Sequence, residues 1–553
     1  MKTKKILAAI MALAMVGSLA ACGSTSSDTT TAASAETTAS EGGETKADET
    51  TTAVLDDGEY TLTCANMNDP GTFGPYGSGG SFLPYNNVLY EALATVTPDG
   101  EMQNVIMKSY EDKGNGVYDI EIYDYVHDTN GNPVTADDVV FSFGKAEENG
   151  AYGSVLATLK EIKATGDYTV ELTLENERAG NFEGIVSSIK IVTEAAWNAS
   201  SDEMVRDVCG TSPYKLTSFT EGSEAVFERV DDYWQTDESL LSYHQQSNIT
   251  TIKWVIISDQ AQSAAAIESG EIDHAMVINS ADYGLFMDDN GNALDGYTVE
   301  IADNSLTYGL TFNCSDTSLC SDINLRKAIC TAIDNDALAQ NVFNGYGRAI
   351  GNYVNPTYLD YDESLEHADS YYAYDLDAAK ELLGKSDYNG ETVKVLVSSN
   401  RNAKAVMVLL EAYLTNLGLT VEMSQYEQAT FQSYYYGEAE DAWDLCFTVD
   451  QGATGADYLY NVLYAADANL YDFGNLLHIK DDKLQSLYDE MVGKDTNSTE
   501  TVQAFLDYVE ENCYMYGLIE GYKVNIGGQR VKTLSIDNNT NVNCGGCVVE
   551  ADK

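Results

Sequence analysis

Apolar and polar positions divide the chain into three stretches. Residues Ile6 to Ala21 are apolar, interrupted only by Gly17 and Ser18 near the end. From Gly23 to about Thr50 the residues are nearly all Ser, Thr, Ala, Gly, Glu and Asp, with no aromatic among them. From about Val54 onward apolar residues return with the short periods of helices and strands. Ile252 to Ile257 is a β-branched, mostly apolar run, and Asp259 is placed to cap a helix from Gln260 to Glu268 that Gly270 ends. A second strand follows from Ile272 to Ile278, so the unit predicts a parallel pair with a right-handed crossover. The pattern recurs as a strand from Val393 to Val397, a helix from Ala403 to Leu417 stopped by Gly418, and a strand from Leu419 to Met423. Between the two units Asp322 caps a helix whose Leu325, Ala328, Ile329, Ala332 and Ile333 follow the spacing of a buried face. Near residue 135, Thr135 and Asp138 have capping-box spacing ahead of Val139, Val140 and Phe143. A partly alternating run from Val117 to Tyr125 precedes them. The fold class is α/β, with mixed sheets in more than one lobe. A body of about 500 residues exceeds what one hydrophobic core usually supports.

The first stretch is too short to span a bilayer comfortably, since a spanning helix needs roughly 20 apolar residues. With Lys2, Lys4 and Lys5 ahead of it, it reads as a secretory signal. Leu19, Ala20, Ala21 and Cys22 resemble the bacterial lipobox, which makes Cys22 the lipidated N-terminus of the mature chain. The second stretch cannot bury enough apolar surface to offset its ordering entropy, so a disordered leash is expected.

Charge narrows the partners. With 88 acidic and 30 basic residues, the formal net charge is -58. Phosphate backbones and anionic lipid surfaces are repelled by such a protein, which argues against nucleic-acid binding and leaves the lipid as the only membrane contact. Nine cysteines follow Cys22, most of them scattered as small apolar residues, an odd number that leaves at least one unpaired within the chain. Cys544 and Cys547 form a C-G-G-C in which a local disulfide or two idle thiols are favoured over a metal site, since no histidine follows His478. Catalytic signatures are missing. Gly77 to Ser81 lacks nucleophile-elbow spacing. The GKS at Gly384 has Ala379 where a phosphate loop needs glycine, and reads as a helix end. The run from Asp288 to Gly296 has Ala293 and Val299 at two decisive calcium-loop positions, and reads as a turn.

Seven blocks in order then carry a resemblance. They are LYEAL at Leu89, HDTNGNPVTADDVVFSF at His127, GTSPYKL at Gly210 with DDYW at Asp231, and IESGEID at Ile267. FNCSDTSLCSDINLRKAICTAID at Phe312, YDLDAAKELL at Tyr374 and LGLTV at Leu417 complete the series. Together they resemble the extracellular solute-binding proteins of ABC importers, in the oligopeptide and dipeptide class (solute-binding protein family 5). The resemblance implies a two-lobe periplasmic-binding-protein-like fold (type II) with an additional small domain and a hinge between the lobes. Residues 1–22 are then the signal and 23–54 the linker. Lobe I comprises 55–93, 191–292 and 515–553, the small domain 94–190, and lobe II 293–514.

The implied function is capture of a peptide for an ABC permease and its ATPase by a monomeric, lipid-anchored protein on the outer face of the cell membrane. The implied protein is not an enzyme and needs no cofactor. In that class a carboxylate in an ADY stretch pairs with the peptide ammonium group. Here Gly455, Ala456, Asp457 and Tyr458 keep the core of that stretch, without the usual preceding Trp or following Pro, and Asp450 is the runner-up. Two other readings stay open: the same fold holding an oligosaccharide, a nickel chelate or haem, and an anchored hydrolase. Five histidines argue against a metal, while 38 tyrosines suit stacking on sugars.

Removing the Cys22 thiol tests the tether. Cys22→Ser should leave the membrane fraction for the medium or a mislocalised precursor; a variant that fractionates with membranes as the parent does would sink this reading.

Overall fold

The strand Thr61–Asn66 alternates half-exposed Thr61 and Thr63 with buried Leu62 and Cys64, as a strand with one face in a core should. It is the middle of three parallel strands, paired with Thr251–Ile256 on one side and His274–Ala275 on the other. The computed structural model that shows this describes residues 58–67, 69–76, 84–98, 100–150, 152–175, 177–288, 290–354, 372–398, 403–426, 428–435, 442–450, 477–537 and 540–552. Cys22, the leash and the GADY stretch lie outside the described residues.

The first crossover differs from expectation in two ways. Its two strands are parallel but not neighbours, because Thr61–Asn66 stands between them. The second strand is also short, His274–Ala275 instead of Ile272 to Ile278. Asp273 takes the Thr63 N–H with its carboxylate at 2.8 Å, and after Ala275 the chain turns into the 3-10 helix Ser280–Leu285. The connecting helix Gln260–Ser269 is as predicted. The Asp259 carboxylate accepts from Gln262 N–H at 2.9 Å, and Gly270 closes the helix at φ 74°, where a side chain would be strained.

The second unit forms as read: Thr392–Ser398 and Thr420–Tyr426 pair in parallel, joined by the helix Ala403–Leu417. Asp322 caps Ile323–Thr331 by accepting from Asn324 N–H at 2.8 Å, and all five residues of its expected apolar face are buried. Gly384 follows the helix Leu376–Leu383, so the GKS is a helix end. Asp288 accepts from the N–H groups of Asn290 and Asn292, both at 2.9 Å, which makes its loop a turn.

One sheet gathers most strands. From one edge its order is Thr420–Tyr426, Thr392–Ser398, Leu445–Asp450, Thr298–Phe312, Met515–Gly527, His274–Ala275, Thr61–Asn66, Thr251–Ile256, Glu224–Arg229 and Tyr214–Thr220. Gly347–Ala349 pairs with Met515–Gly527 beside that path. A separate four-stranded antiparallel sheet orders Met107–Gly114, Val117–Ile122, Thr169–Leu174 and Leu159–Gly166. Against it packs the helix Ala136–Glu148. Its Thr135 cap donates N–H and Oγ1–H to the Asp138 carboxylate at 2.8 and 2.7 Å, the predicted box. That small-sheet unit also bonds to the chain around Val492 and Lys494. Ala179 N–H donates to Val492 O at 3.2 Å and Lys494 N–H to Glu177 O at 2.8 Å, while Lys494 Nζ lies 2.7 Å from Asp112.

Two of the blocks that carry the resemblance, LYEAL and GTSPYKL with DDYW, meet at one buried carboxylate. Glu91 accepts from Tyr233 O–H, from Trp234 Nε1–H at 2.9 Å and from Gln245 Nε2–H at 3.1 Å. Burial pushes its carboxyl up to about 7 despite these donors. Gly210 sits so close that a Cβ there would lie 1.9 Å from Leu89 O, so no other residue fits without moving the backbone.

Glu510, near the end of the helix Thr499–Glu511, is buried with no hydrogen-bond partner among the described residues on either carboxylate oxygen. Burial, and then Asp507, raises it to about 9. A carboxyl raised in the folded state keeps its proton there while the unfolded chain loses it above about 4.5. Stability therefore falls as pH climbs from about 4.5 towards 9, by about 1.4 kcal/mol per unit for this group. Glu510→Gln should raise the melting temperature at pH 8 and change it little at pH 5. Equal shifts at both pH values in calorimetry would refute this account.

Candidate functional site

Two long strands, Thr298–Phe312 and Met515–Gly527, run antiparallel through the middle of the large sheet. Ladder registers show what lies at each end. Thr298 is opposite Gly527, and Gly527 is opposite His274, so the start of the first strand lies beside the Thr61, Thr251 and His274 strands. Those three run in its direction and end at Asn66, Ile256 and Ala275. At the other end Phe312 is opposite Leu445 and Thr307 opposite Asp450, so Leu445–Asp450 runs the opposite way. Thr392–Ser398 and Thr420–Tyr426 are parallel to it.

The carboxyl ends of two parallel strand sets therefore point at each other along the crossing pair. Residues 301–306 separate them, roughly 20 Å of strand at ~3.3 Å per residue. In open α/β sheets a ligand sits beyond the carboxyl ends of the strands. Here two such edges are opposed, and the space between them is the candidate site.

The crossing pair forms the base of that space. Its ladder breaks register between Ala302 and Leu306 and again between Tyr308 and Gly309. Glu520 is 1% exposed, opposite Thr307 in one direction and Arg348 in the other. Arg348 holds the same carboxylate oxygen through Nη2 at 2.7 Å and Nε at 3.2 Å. Such a charge-assisted pair holds Gly347–Ala349 on the crossing strand. Thr307 Oγ1–H reaches Val354 O at 3.4 Å. Contacts between the 280s and the 340s also bridge the halves: Asn344 Nδ2–H donates to Ser280 Oγ at 3.1 Å, and the Tyr283 and Tyr346 rings meet edge to face at 5.1 Å.

Of the predicted site residues, the described structure includes only Asp450, by its place in the ladder. It ends its strand opposite Thr307, at the margin of the candidate space, and residues 451–476 continue from there. Gly455, Ala456, Asp457 and Tyr458 belong to that continuation, outside the described residues. Sequence reasoning missed Glu520 and Arg348. The signal was a single acid inside the apolar run Met515 to Ile519 and its glycine-flanked continuation.

On the far side of this base Asp444 organises the Phe312 block. It accepts from Ser318 Oγ–H at 2.9 Å, Leu319 N–H at 2.8 Å and Lys394 N–H at 2.9 Å. Among the described residues no three His, Cys, Asp or Glu side chains converge to hold a metal, and no helix is long and apolar enough to cross a membrane.

Two opposed lobes with facing strand ends, tied by crossing strands, define the class: a two-lobed solute-binding protein. The chain belongs to the bacterial extracellular solute-binding proteins, family 5, whose model matches residues 101–469. It is 26% identical over 438 residues to the dipeptide-binding protein DppE of Bacillus subtilis, covering 72% of this chain and 75% of that one. In structure it resembles the oligopeptide-binding protein AppA of Bacillus subtilis solved with a nonapeptide, at TM-score 0.70 and 16% identity, covering 89% of this chain and all of that one. It also resembles NikA of Staphylococcus aureus solved with Ni(L-His)2, at TM-score 0.68 and 15% identity over 89% of this chain and 100% of the other.

The crossing pair is tightly packed where Gly309 faces Gly517. A Cβ on Gly517 would lie 2.3 Å from Asn352 O, a backbone atom that cannot swing aside. Gly517→Ala should cost about 1–3 kcal/mol. Gly144→Ala, in the helix Ala136–Glu148 with open space around it, should instead stabilise by ~0.5–1 kcal/mol. If chemical denaturation ranks the two the other way, the close approach at the crossing carries no energetic weight.

Proposed function

We propose that this chain captures peptides between its two lobes for an ABC importer, and that closing the cleft around the ligand signals the loaded state to the permease. The facing strand ends across the crossing pair carry the proposal, because they form an edge on each lobe for one extended ligand. The relative named for dipeptide binding and the neighbour solved with a nonapeptide support a peptide as that ligand. Extended peptides are held by main-chain hydrogen bonds of the kind strands make, while pockets take the side chains. In this proposal Cys22 tethers the mature protein to the outer face of the membrane, and residues 23–54 let the body reach its transporter as a monomer. Lobe I is 55–93, 191–292 and 515–553, the small domain is 94–190, and lobe II is 293–514.

Gly455 and Ala456 would offer backbone partners, Asp457 would pair with the peptide ammonium group, and Tyr458 would complete the stretch. The neighbour solved with Ni(L-His)2 favours a second reading, a metal chelate in the same space. Mass spectrometry of the co-purifying ligand separates the two.

A charged hydrogen bond contributes ~1.5–3 kcal/mol, so Asp457→Asn should weaken peptide binding at least about tenfold. Acetylating the peptide amine should cost the parent a similar factor and the variant much less, because both changes remove one contact. Additive losses in calorimetry would show that Asp457 is not the anchor. Small-angle scattering that stays the same at saturating peptide would rule out closure.

A further inference from the structure

Nine described cysteines are unbonded, and two of them stand apart. Cys330, in the helix Ile323–Thr331, and Cys513, in the turn before Met515–Gly527, place their sulfurs 3.0 Å apart. Non-bonded heavy atoms the size of carbon rest at ~3.5–4.0 Å, and sulfur is larger. The Cys64 and Cys544 sulfurs, by contrast, lie 4.0 Å apart, an ordinary contact.

The surroundings hold the closer pair in place. The Arg326 guanidinium donates to Cys513 O at 3.0 Å, Asn512 O at 2.8 Å and Cys320 O at 2.7 Å, clamping the 512–513 turn onto the helix that carries Cys330. Cys513 also has φ 52°, a left-handed conformation that a side chain other than Asn or Asp rarely takes. A turn there would be relaxed with glycine, yet the chain has a cysteine whose thiol faces another. Both residues are fully buried, so neither serves as a surface thiol.

We propose that Cys330 and Cys513 are the site of a structural disulfide, which staples the helix Ile323–Thr331 to the foot of the crossing strand Met515–Gly527. The extracellular setting of the family suits such a bond. The oxidant is a disulfide, either a thiol oxidoreductase in its oxidised form or glutathione disulfide. One cysteine thiolate attacks a sulfur of that disulfide and expels a thiolate. The second cysteine then attacks the mixed disulfide, forming the Cys330–Cys513 bond and expelling the other half. Two thiol protons leave the protein, and the oxidant ends as two thiols. Burial requires the exchange to happen during folding, before the turn closes over the pair.

The test refolds the full chain in a buffer of reduced and oxidised glutathione. Remaining thiols are blocked with N-ethylmaleimide in denaturant, and the protein is digested without reductant. Mass spectrometry should find one linked peptide pair containing Cys330 and Cys513, 2 Da lighter than the separate peptides. Reductant should lower the melting temperature of the linked protein by roughly 3–8 °C, since the bond closes a loop of 183 residues. Cys330→Ala should lose that sensitivity. The peptide map needs no variant, so it decides the matter even where the variant fails to fold. Both cysteines blocked by maleimide, or Cys513 linked to a different cysteine, would overturn the proposal.

Discussion

The antiparallel pairing of Thr298–Phe312 with Met515–Gly527 is the constraint from which the architecture follows. Because both strands run through the sheet's centre, each half takes its strand direction from the end it pairs with. The Thr61, Thr251 and His274 strands then run with the first long strand, and the Leu445, Thr392 and Thr420 strands run against it. Reversing either long strand would turn one set of carboxyl ends away from the other and leave no common space. The pairing also tolerates breaks in register, one in the stretch between the two sets of ends and one just past it at Tyr308 and Gly309. Buried Glu520 and half-exposed Arg348 place an ion pair beside that interruption, where backbone pairing is least regular.

Several segments that carry the family resemblance are junctions of the fold. LYEAL, GTSPYKL and DDYW come together through Glu91, Gly210 and Trp234, and the Phe312 block is tied down by Asp444 and Asp322. A carboxylate buried among three donors cannot be moved or replaced without leaving those donors unpaired. Resemblance over such blocks identifies how the chain folds. It is a weaker guide to what the fold holds, since solved neighbours of similar TM-score hold a peptide in one case and a nickel chelate in another.

Much of the local structure was legible in the sequence because its causes are local. Asp259, Gly270, Asp322 and the Thr135–Asp138 box each act within four residues, and each end of helix follows from one side chain or one glycine. Long-range pairing was not legible. Nothing near Thr61 says that its strand inserts between two others from far along the chain, because that partner choice is set by whole faces of packed residues. The shortening of the His274 strand has the same origin, a carboxylate on Asp273 bonded to a residue remote in sequence. The base of the candidate site was not legible in the sequence. Glu520 and Arg348 are adjacent only through the ladder.

The bonds that join Ala179, Glu177 and Asp112 to Val492 and Lys494 give the molecule a second place of attachment, apart from the crossing strands and the Asn344–Ser280 and Tyr283–Tyr346 contacts beside them. Two bodies pinned at one place can swing, tilt and twist. Pinned at two separate places, they keep a single freedom, rotation about the line through both pins. If the lobes close as proposed, a motion that preserves these bonds turns about that one axis, like a door on a pair of hinges.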